Sequence, residues 1–161
     1  MREDVSMSDK AQGNLLVTFQ FILLAIILFF PKGNMWILTA ELGWVALALT
    51  FGGLFLAVFG IFKLGSSLTA HPSPKNAGQL MTTGVYSRIR HPIYSGLAVM
   101  CLGVTMSSRS LVVAVCLVLL YALFAYKARF EERLLLAHYK EYASYASHTG
   151  RFIPGVGKIR S

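Results

Sequence analysis

Residues 92–126 read PIYSGLAVMCLGVTMSSRSLVVAVCLVLLYALFAY and contain one charged residue, Arg109. On each side of Arg109 lies a window of 17 residues without charge, 92–108 and 110–126. A helix rises about 1.5 Å per residue, and about 17 residues is the lower limit for crossing a bilayer core of about 30 Å. The stretch therefore predicts two short membrane-spanning helices that form a tight hairpin.

Two further charge-free windows, 11–31 and 42–62, each hold 21 residues, which is enough to span a bilayer. Hydrophobic residues make up 55% of the 161 residues and charged residues 14%, whereas a soluble domain carries about 25% charged residues. This composition excludes an ordinary water-soluble globule. The sequence predicts an all-α polytopic membrane protein with four transmembrane helices, built as one domain over residues 1–161.

Positive charge is distributed unevenly along the chain, whose formal net charge is +8. If there are four spans, 13 of the 15 Lys and Arg residues lie in the two tails and in the segment between the second and third spans. Lys32 and Arg109 lie on the other side. By the positive-inside rule, both termini and the middle segment are cytoplasmic, in a bacterial-type inner or plasma membrane. The basic surface predicts contact with anionic membrane lipid and not with nucleic acid.

The two cysteines, Cys101 and Cys116, lie at similar depth in the two arms of the hairpin. A thiol in an apolar helix is usually a small packing residue, so we expect neither a disulfide nor a metal site here. No Cys and His spacing suited to zinc occurs in the sequence, which predicts no bound metal.

Glycines recur at intervals of seven residues in the second and third spans, as Gly53 and Gly60 and as Gly96 and Gly103. Seven residues make about two helical turns, so each pair lies on one face of its helix. Small residues on one face let a neighbouring membrane helix approach closely. The spacing predicts packing seams.

The segment before the third span is the first candidate site. It is rich in Gly, Pro and Ser and ends in Arg88-Ile-Arg90-His91-Pro92. Pro92 suits the first turn of a helix, which places His91 at the N-cap. A helix N-terminus with nearby cations can bind a carboxylate or phosphate. Alternatively, Arg88 and Arg90 anchor the helix to lipid headgroups.

The polar extension of the fourth span is the second candidate site. No Gly or Pro occurs between Ser110 and Thr149, so the helix can continue beyond the bilayer. Lys127 and Glu131 are separated by four residues, and Arg129 and Glu132 by three, which predicts helical ion pairs. One alternative is a solvated, salt-bridged helix on the membrane surface. The other is that the two acids face the basic loop and hold a ligand that carries both signs of charge.

Several motifs in order carry a family resemblance: GVYSRIRHPIYSG at 84–96, EERLL at 131–135, EYASY at 141–145 and GRFIP at 150–154. This set resembles the isoprenylcysteine carboxyl methyltransferase family, and phospholipid N-methyltransferases are more distantly similar. The motif-bearing region is 78–154. The resemblance implies S-adenosylmethionine as cofactor and a cytoplasmic cofactor-binding loop next to the C-terminal helix extension.

By position in these motifs, the resemblance implies a set of site residues. Those that contact the cofactor are Gly78, Gln79, Leu80, Met81, Tyr86, His91, Pro92, Ile93, Tyr94 and Glu131. Glu132 is the alternative to Glu131 for the acidic cofactor contact. The candidate catalytic residues are His91, Glu132 and Arg129, of which His91 or Glu132 could serve as a base. The implied acceptor-binding residues are Lys127 and Arg129.

The expected reaction is methyl transfer to a carboxylate of a lipidic or small acceptor, because a carboxylate is already nucleophilic and needs no base. Phospholipid amine or thiol methylation is an alternative. A non-enzymatic four-helix membrane module that recruits anionic lipid is another. A reductase is a weaker alternative, since no nicotinamide phosphate pocket is evident in the sequence.

Overall fold

The computed structural model describes residues 7–65 and 80–159, with side chains from residue 11 onward. The described residues form five α-helices and no β-strand. The helices are α1 (Met7–Phe29), α2 (Ala40–Leu64), α3 (Pro92–Ser108), α4 (Leu111–His138) and α5 (Tyr142–His148). A short 3-10 turn, Gly84–Ser87, precedes α3. The predicted all-α class is confirmed.

Three of these helices are long and apolar enough to cross a membrane: Ala11–Phe29 within α1, all of α2, and α4. The third predicted span coincides with α3, an apolar helix of 17 residues. The chain is an integral membrane protein. Within the described residues, α3 is shorter than each of these three apolar helices.

Helices α2 and α3 pack against each other backbone to backbone, through the glycine faces that the spacing predicted. A Cβ atom added to Gly53 would lie 2.6 Å from the carbonyl oxygen of Gly96, and one added to Gly96 would lie 2.8 Å from the Cα of Ala57. Gly103 meets Ala46 and Thr50 near the start of α2. The contacts run in opposite directions along the two helices, so α3 lies antiparallel to α2. The predicted packing seam is confirmed.

The turn between α3 and α4 is short and is closed by the loop after α1. Arg109 adopts a left-handed conformation (φ 54°) between the two helices. The backbone N–H of Gly33 donates to the carbonyl of Ser108 (2.7 Å), and the indole N–H of Trp36 donates to the carbonyl of Met106 (3.0 Å). The predicted tight hairpin is confirmed.

The apolar core lies between α1, α3 and α4. Ile27, Leu120 and Phe124 are fully buried in it. Cys101 and Cys116 are both free thiols and both belong to this core. Their predicted role as packing residues agrees with these positions.

Helix α4 ends at His138, although no Gly or Pro occurs between Ser110 and Thr149 to end it. Tyr139 is extended (φ −114°, ψ 116°), and its N–H donates to the carbonyl of Leu135 (2.8 Å). The chain then turns into α5. Helix α4 extends well past residue 126, as predicted, and beyond the break α5 contacts the segment before α3, where the carbonyl of Ala146 accepts from Arg90 and the Tyr145 hydroxyl donates to the carbonyl of Tyr86.

Candidate functional site

The N-terminus of α3 is fixed by the chain that follows α5. His91 is the N-cap residue and Pro92 is the first residue of the helix, as predicted. Ile89 and Gly150 form an isolated parallel bridge. The N–H of Arg90 donates to the carbonyl of Gly150 (2.9 Å), and that of His91 donates to the carbonyl of Arg151 (3.1 Å). The motifs at 84–96 and 150–154 are thereby brought together.

The Arg90 side chain is buried and all of its nitrogens are used. Nε and Nη2 each lie 2.9 Å from Oε1 of Glu132. Nη1 donates to the carbonyls of Ala146 (3.0 Å) and Thr149, and Nη2 donates to the carbonyl of Gly157 (2.8 Å). Arg90 therefore ties α4 and α5 to the chain after α5. Its burial rules out the alternative of a lipid headgroup anchor for Arg90, whereas Arg88 is exposed.

Glu132 is the most heavily hydrogen-bonded acid of the site, and its side chain is 4% exposed. In addition to Arg90, it accepts from Arg151, whose Nη2 lies 2.6 Å from Oε2. His91 Nε2 lies 3.2 Å from Oε1. Two guanidinium groups and an imidazole thus surround one carboxylate.

His91 lies between the two acids. Its Nδ1 is 3.4 Å from Oε2 of Glu131, and its Nε2 contacts Glu132. Burial by itself would lower the pKa of His91, but hydrogen bonds to Glu131 and Glu132 and their negative charges outweigh it. The net effect is that the pKa of His91 is raised. The imidazole therefore favours its protonated form.

Glu131 differs from Glu132 because its side chain keeps 19% exposure. Its Oε1 accepts a hydrogen bond from the Tyr94 hydroxyl. The Tyr94 ring stacks on Phe124 (4.9 Å between centroids) and on His91 (5.5 Å). The stacked rings of His91, Tyr94 and Phe124 thus hold the Tyr94 hydroxyl against Glu131, the site acid whose side chain is partly exposed.

Lys127 is buried and points toward α1. Its Nζ donates to Oε1 of Gln20 (2.9 Å) and lies 5.2 Å from the centroid of the Tyr94 ring. Arg129 is exposed. Within the described residues, neither predicted helical ion pair of α4 forms. The reason is that other elements supply the partners: Arg90 and Arg151 for Glu132, and Gln20 for Lys127.

The remaining predicted cofactor residues lie in different surroundings. The Tyr86 hydroxyl donates to the carbonyl of Gly60 (3.2 Å), which joins the 3-10 turn to the end of α2. Pro92 is buried, and Ile93 packs against Gly60. Leu80 and Met81 are half-buried. Gly78 and Gln79 lie outside the described residues.

Three interactions that complete this arrangement were not predicted from the sequence. They are the hydrogen bond from Lys127 to Gln20 and the pairing of Glu132 with Arg90 and with Arg151. A signal existed for Gln20, since it is the one polar side chain between residues 19 and 30, and a polar residue inside a span usually has a partner. No local signal paired Arg90 and Arg151 with Glu132, because the three come from separate segments.

Comparison with known proteins places this arrangement in a family. The chain is 34% identical over 121 residues to the nickel-cobalt-cadmium resistance protein NccN of Alcaligenes xylosoxydans xylosoxydans, which covers 73% of this chain and 55% of the relative. It is 35% identical over 120 residues to the cobalt-zinc-cadmium resistance protein CzcN of Cupriavidus metallidurans, with coverages of 73% and 54%. The chain thus spans about half the length of these curated relatives.

The sequence profile of phospholipid methyltransferases matches residues 42–142, which is well over half of the chain. The matched region contains all of α2 except its first two residues, together with α3 and α4, and therefore includes His91, Tyr94 and both site acids. The predicted resemblance to isoprenylcysteine carboxyl methyltransferases is confirmed at the family level. The chain belongs to the phospholipid methyltransferase family, a group of membrane methyltransferases.

Proposed function

We propose that this protein is an S-adenosylmethionine-dependent methyltransferase that methylates a carboxylate on a lipidic or small acceptor. The observation that carries the proposal is the state of Glu131, a partly exposed carboxylate held by Tyr94 and His91 at the start of α3. Membership of a methyltransferase family supplies the reaction type. The arrangement supplies a negatively charged group for a cationic cofactor.

The chemistry of these residues fits that cofactor. When bound, S-adenosylmethionine supplies a methyl group on a positively charged sulfur. Glu131 has lone pairs left beyond its contacts with Tyr94 and His91, so it can accept from an ammonium or face a sulfonium. Glu132 is already surrounded by Arg90, Arg151 and His91. We therefore assign the cofactor contact to Glu131 and a structural part to Glu132.

The state of His91 favours a carboxylate acceptor. Both ring nitrogens face carboxylates, and the pKa of His91 is raised. An imidazole that favours its protonated form and has both ring nitrogens facing carboxylates is poorly suited to remove a proton from an amine or a thiol. A carboxylate acceptor needs no such step, so His91 serves to hold Glu131 and Glu132 in place.

Calorimetry with S-adenosylhomocysteine on detergent-purified protein tests cofactor binding. We expect saturable binding that is weakened at least about tenfold in Glu131→Gln, because a charge-assisted contact is worth roughly 1.5–3 kcal/mol. The matched control is Glu141→Gln, at an exposed acid next to α5. Absence of binding to well-folded wild-type protein would refute the proposal and favour the non-enzymatic membrane module.

The acceptor is tested by transfer of a tritiated methyl group into fractionated native membranes. A carboxyl methyl ester releases labelled methanol in mild alkali, whereas N-methyl and S-methyl products keep their label. We expect alkali-labile label. Alkali-stable label would instead support the alternative of amine or thiol methylation, and would remove the carboxylate from the proposal.

We further propose that α3 is a fourth membrane span and that both termini are cytoplasmic. The support is that α3 lies antiparallel to α2 along most of its length, from Gly103 near Ala46 to Ile93 near Gly60. A helix that follows a spanning neighbour this closely shares its depth. The distribution of Lys and Arg supports the orientation. The site then lies at the cytoplasmic membrane surface, where a lipidic acceptor can enter sideways.

The printed names of the two relatives suggest a physiological setting, which we propose as metal tolerance supported by methylation of a membrane acceptor. Growth of a metal-sensitive bacterial strain in nickel, cobalt or cadmium tests this. We expect wild-type protein to raise tolerance and Glu131→Gln to fail. Equal tolerance from both proteins would show that methyl transfer is not the basis of the effect.

A further inference from the structure

Tyr142, the first residue of α5, buries a hydroxyl group that has no hydrogen-bond partner among the described residues. The side chain is 1% exposed. A buried polar group without a partner is destabilising, and phenylalanine would fill the same space without that cost. Most buried hydroxyls are paired, so an unpaired one calls for a reason.

Glu132 does not accept a hydrogen bond from the Tyr142 hydroxyl, because both of its carboxylate oxygens already accept from arginine side chains. Glu132 acts electrostatically on the Tyr142 hydroxyl. Its Oε1 accepts from Arg90 and lies near His91, and its Oε2 accepts from Arg151. Tyr142 is therefore close to a strong acceptor whose hydrogen-bonding capacity is used by better donors.

Tyr145, one turn later in α5, shows the contrast. Its ring packs edge to face against Tyr142, with 5.8 Å between centroids, and its hydroxyl donates to the backbone carbonyl of Tyr86. Burial raises the pKa of both phenols, that of Tyr145 to about 12, so both hydroxyls keep their protons at neutral pH. The Tyr145 hydroxyl therefore has a hydrogen-bond partner within the fold, whereas the Tyr142 hydroxyl has none among the described residues.

We propose that the Tyr142 hydroxyl is a ligand-binding group that donates a hydrogen bond to an oxygen or nitrogen atom of the bound adenosyl cofactor. The inference rests on the proposed function and adds a residue of α5 to that site. Arg90 donates to the carbonyl of Ala146 in α5 and pairs with Glu132, which is adjacent to Glu131 in α4, so α5 lies beside the acids of the proposed site.

The position of Tyr142 favours the cofactor over a lipid acceptor as its partner. α5 follows the polar end of α4 and is tied to the start of α3 through Arg90. The buried polar pair that faces the apolar core, Lys127 with Gln20, lies on the α1 side of α4. A water-soluble ligand approaches from the side of α5, whereas a lipid enters from the side of the spans.

The test compares Tyr142→Phe with wild-type protein in calorimetry with S-adenosylhomocysteine and with 5′-methylthioadenosine. We expect Kd to rise about 3- to 10-fold, the range of one neutral hydrogen bond. A rise for both ligands places the accepting atom on the nucleoside. A rise for S-adenosylhomocysteine alone places it on the amino acid part. Either result supports the proposal.

A second measurement separates binding from folding. Thermal unfolding without ligand should give Tyr142→Phe a Tm equal to or above that of wild-type protein, because the variant removes an unpaired group. Unchanged Kd values in Tyr142→Phe overturn the proposal, and a lowered Tm with unchanged Kd identifies an internal water as the partner instead. Tyr121→Phe, at an exposed position in α4, is the matched control. If wild-type protein binds neither ligand, the proposed function itself fails, and this inference falls with it.

Discussion

Arg151 holds Glu132 in a two-pronged ion pair, with Nη2 2.6 Å from Oε2 and Nε 3.1 Å from each carboxylate oxygen. The two residues come from the chain after α5 and from α4. Arg90, just before α3, shares the same carboxylate. One acid thus joins three segments that are far apart in sequence, and this arrangement has measurable consequences.

Glu132→Gln should be strongly destabilising. The substitution leaves the buried Arg90 guanidinium without its counterion, and removing one partner of a buried pair costs about 3–5 kcal/mol. The free energy of unfolding in detergent measures the loss. Arg151→Met should cost less, about 1.5–3 kcal/mol, because the Arg151 side chain is 23% exposed. Arg129→Met, at an exposed site of α4, is the control, with an expected change near zero. The reverse order of the two effects would contradict a structural role centred on Glu132.

Stability should depend on pH through His91. Its pKa in the folded protein is raised above the ordinary value of about 6.5. Stabilisation by protonated His91 is therefore fully present below about pH 6.5 and is lost as the pH rises through the raised pKa. We expect the stability difference between wild-type protein and His91→Asn to shrink from pH 6 to pH 9. A difference that grows with pH would contradict this assignment, and an NMR titration of labelled histidine measures the pKa directly.

The α2–α3 seam offers a test with two adjacent glycines. An added Cβ at Gly53 collides with the backbone of Met100 and Gly96, whereas an added Cβ at Gly52 meets no atom within 4 Å. Gly53→Ala should lower the free energy of unfolding by about 1–3 kcal/mol or more, because rigid backbones must separate. Gly52→Ala should be tolerated. Thermal unfolding of the two variants measures this, and equal effects would show that the helices do not pack as described.

Gln20 should be needed to keep Lys127 buried. Gln20→Leu removes the acceptor of the buried ammonium, with an expected loss of roughly 1.5–3 kcal/mol. Gln20→Glu should be better tolerated, because a carboxylate still pairs with the ammonium. Gln12→Leu, which removes an exposed hydrogen bond to Tyr126, is the control with a small effect. Equal stability of Gln20→Leu and wild-type protein would mean that Lys127 finds another partner.

Membrane topology can be tested with reporter fusions. A fluorescent protein fused after Ser161 should fluoresce, and alkaline phosphatase at the same point should be inactive, if that end is cytoplasmic. Fusion after Lys32 should give the opposite pattern. An active phosphatase after Ser161 would exclude an even number of spans with a cytoplasmic N-terminus.

Much of the fold was predictable because it depends on local apolar pattern. The boundaries of α3 match the predicted 92–108 window, and Pro92 follows His91 at the helix start as the sequence indicated. The glycine intervals predicted close-packed faces on α2 and α3, and the structure shows that these two faces meet. These features depend on helix geometry and on side-chain size, both of which can be derived from short stretches of chain.

The internal partners of the site could not be predicted in the same way. Spacing along α4 favoured Lys127 with Glu131 and Arg129 with Glu132, but burial selected partners from α1, from before α3 and from after α5. The break at Tyr139 was not predicted either, because no Gly or Pro marks it in the sequence. The partners of Lys127 and Glu132 and the end of α4 depend on tertiary contacts. These contacts outweigh a surface ion pair along one helix, which is worth a few tenths of a kcal/mol.

The sharing of Glu132 among distant segments also bears on the order of synthesis. Arg90 and His91 are translated before Glu132, whereas Arg151 follows it. Two of the three partners of Glu132 are therefore synthesised before the acid itself, and the arrangement is complete only when Arg151 has been added.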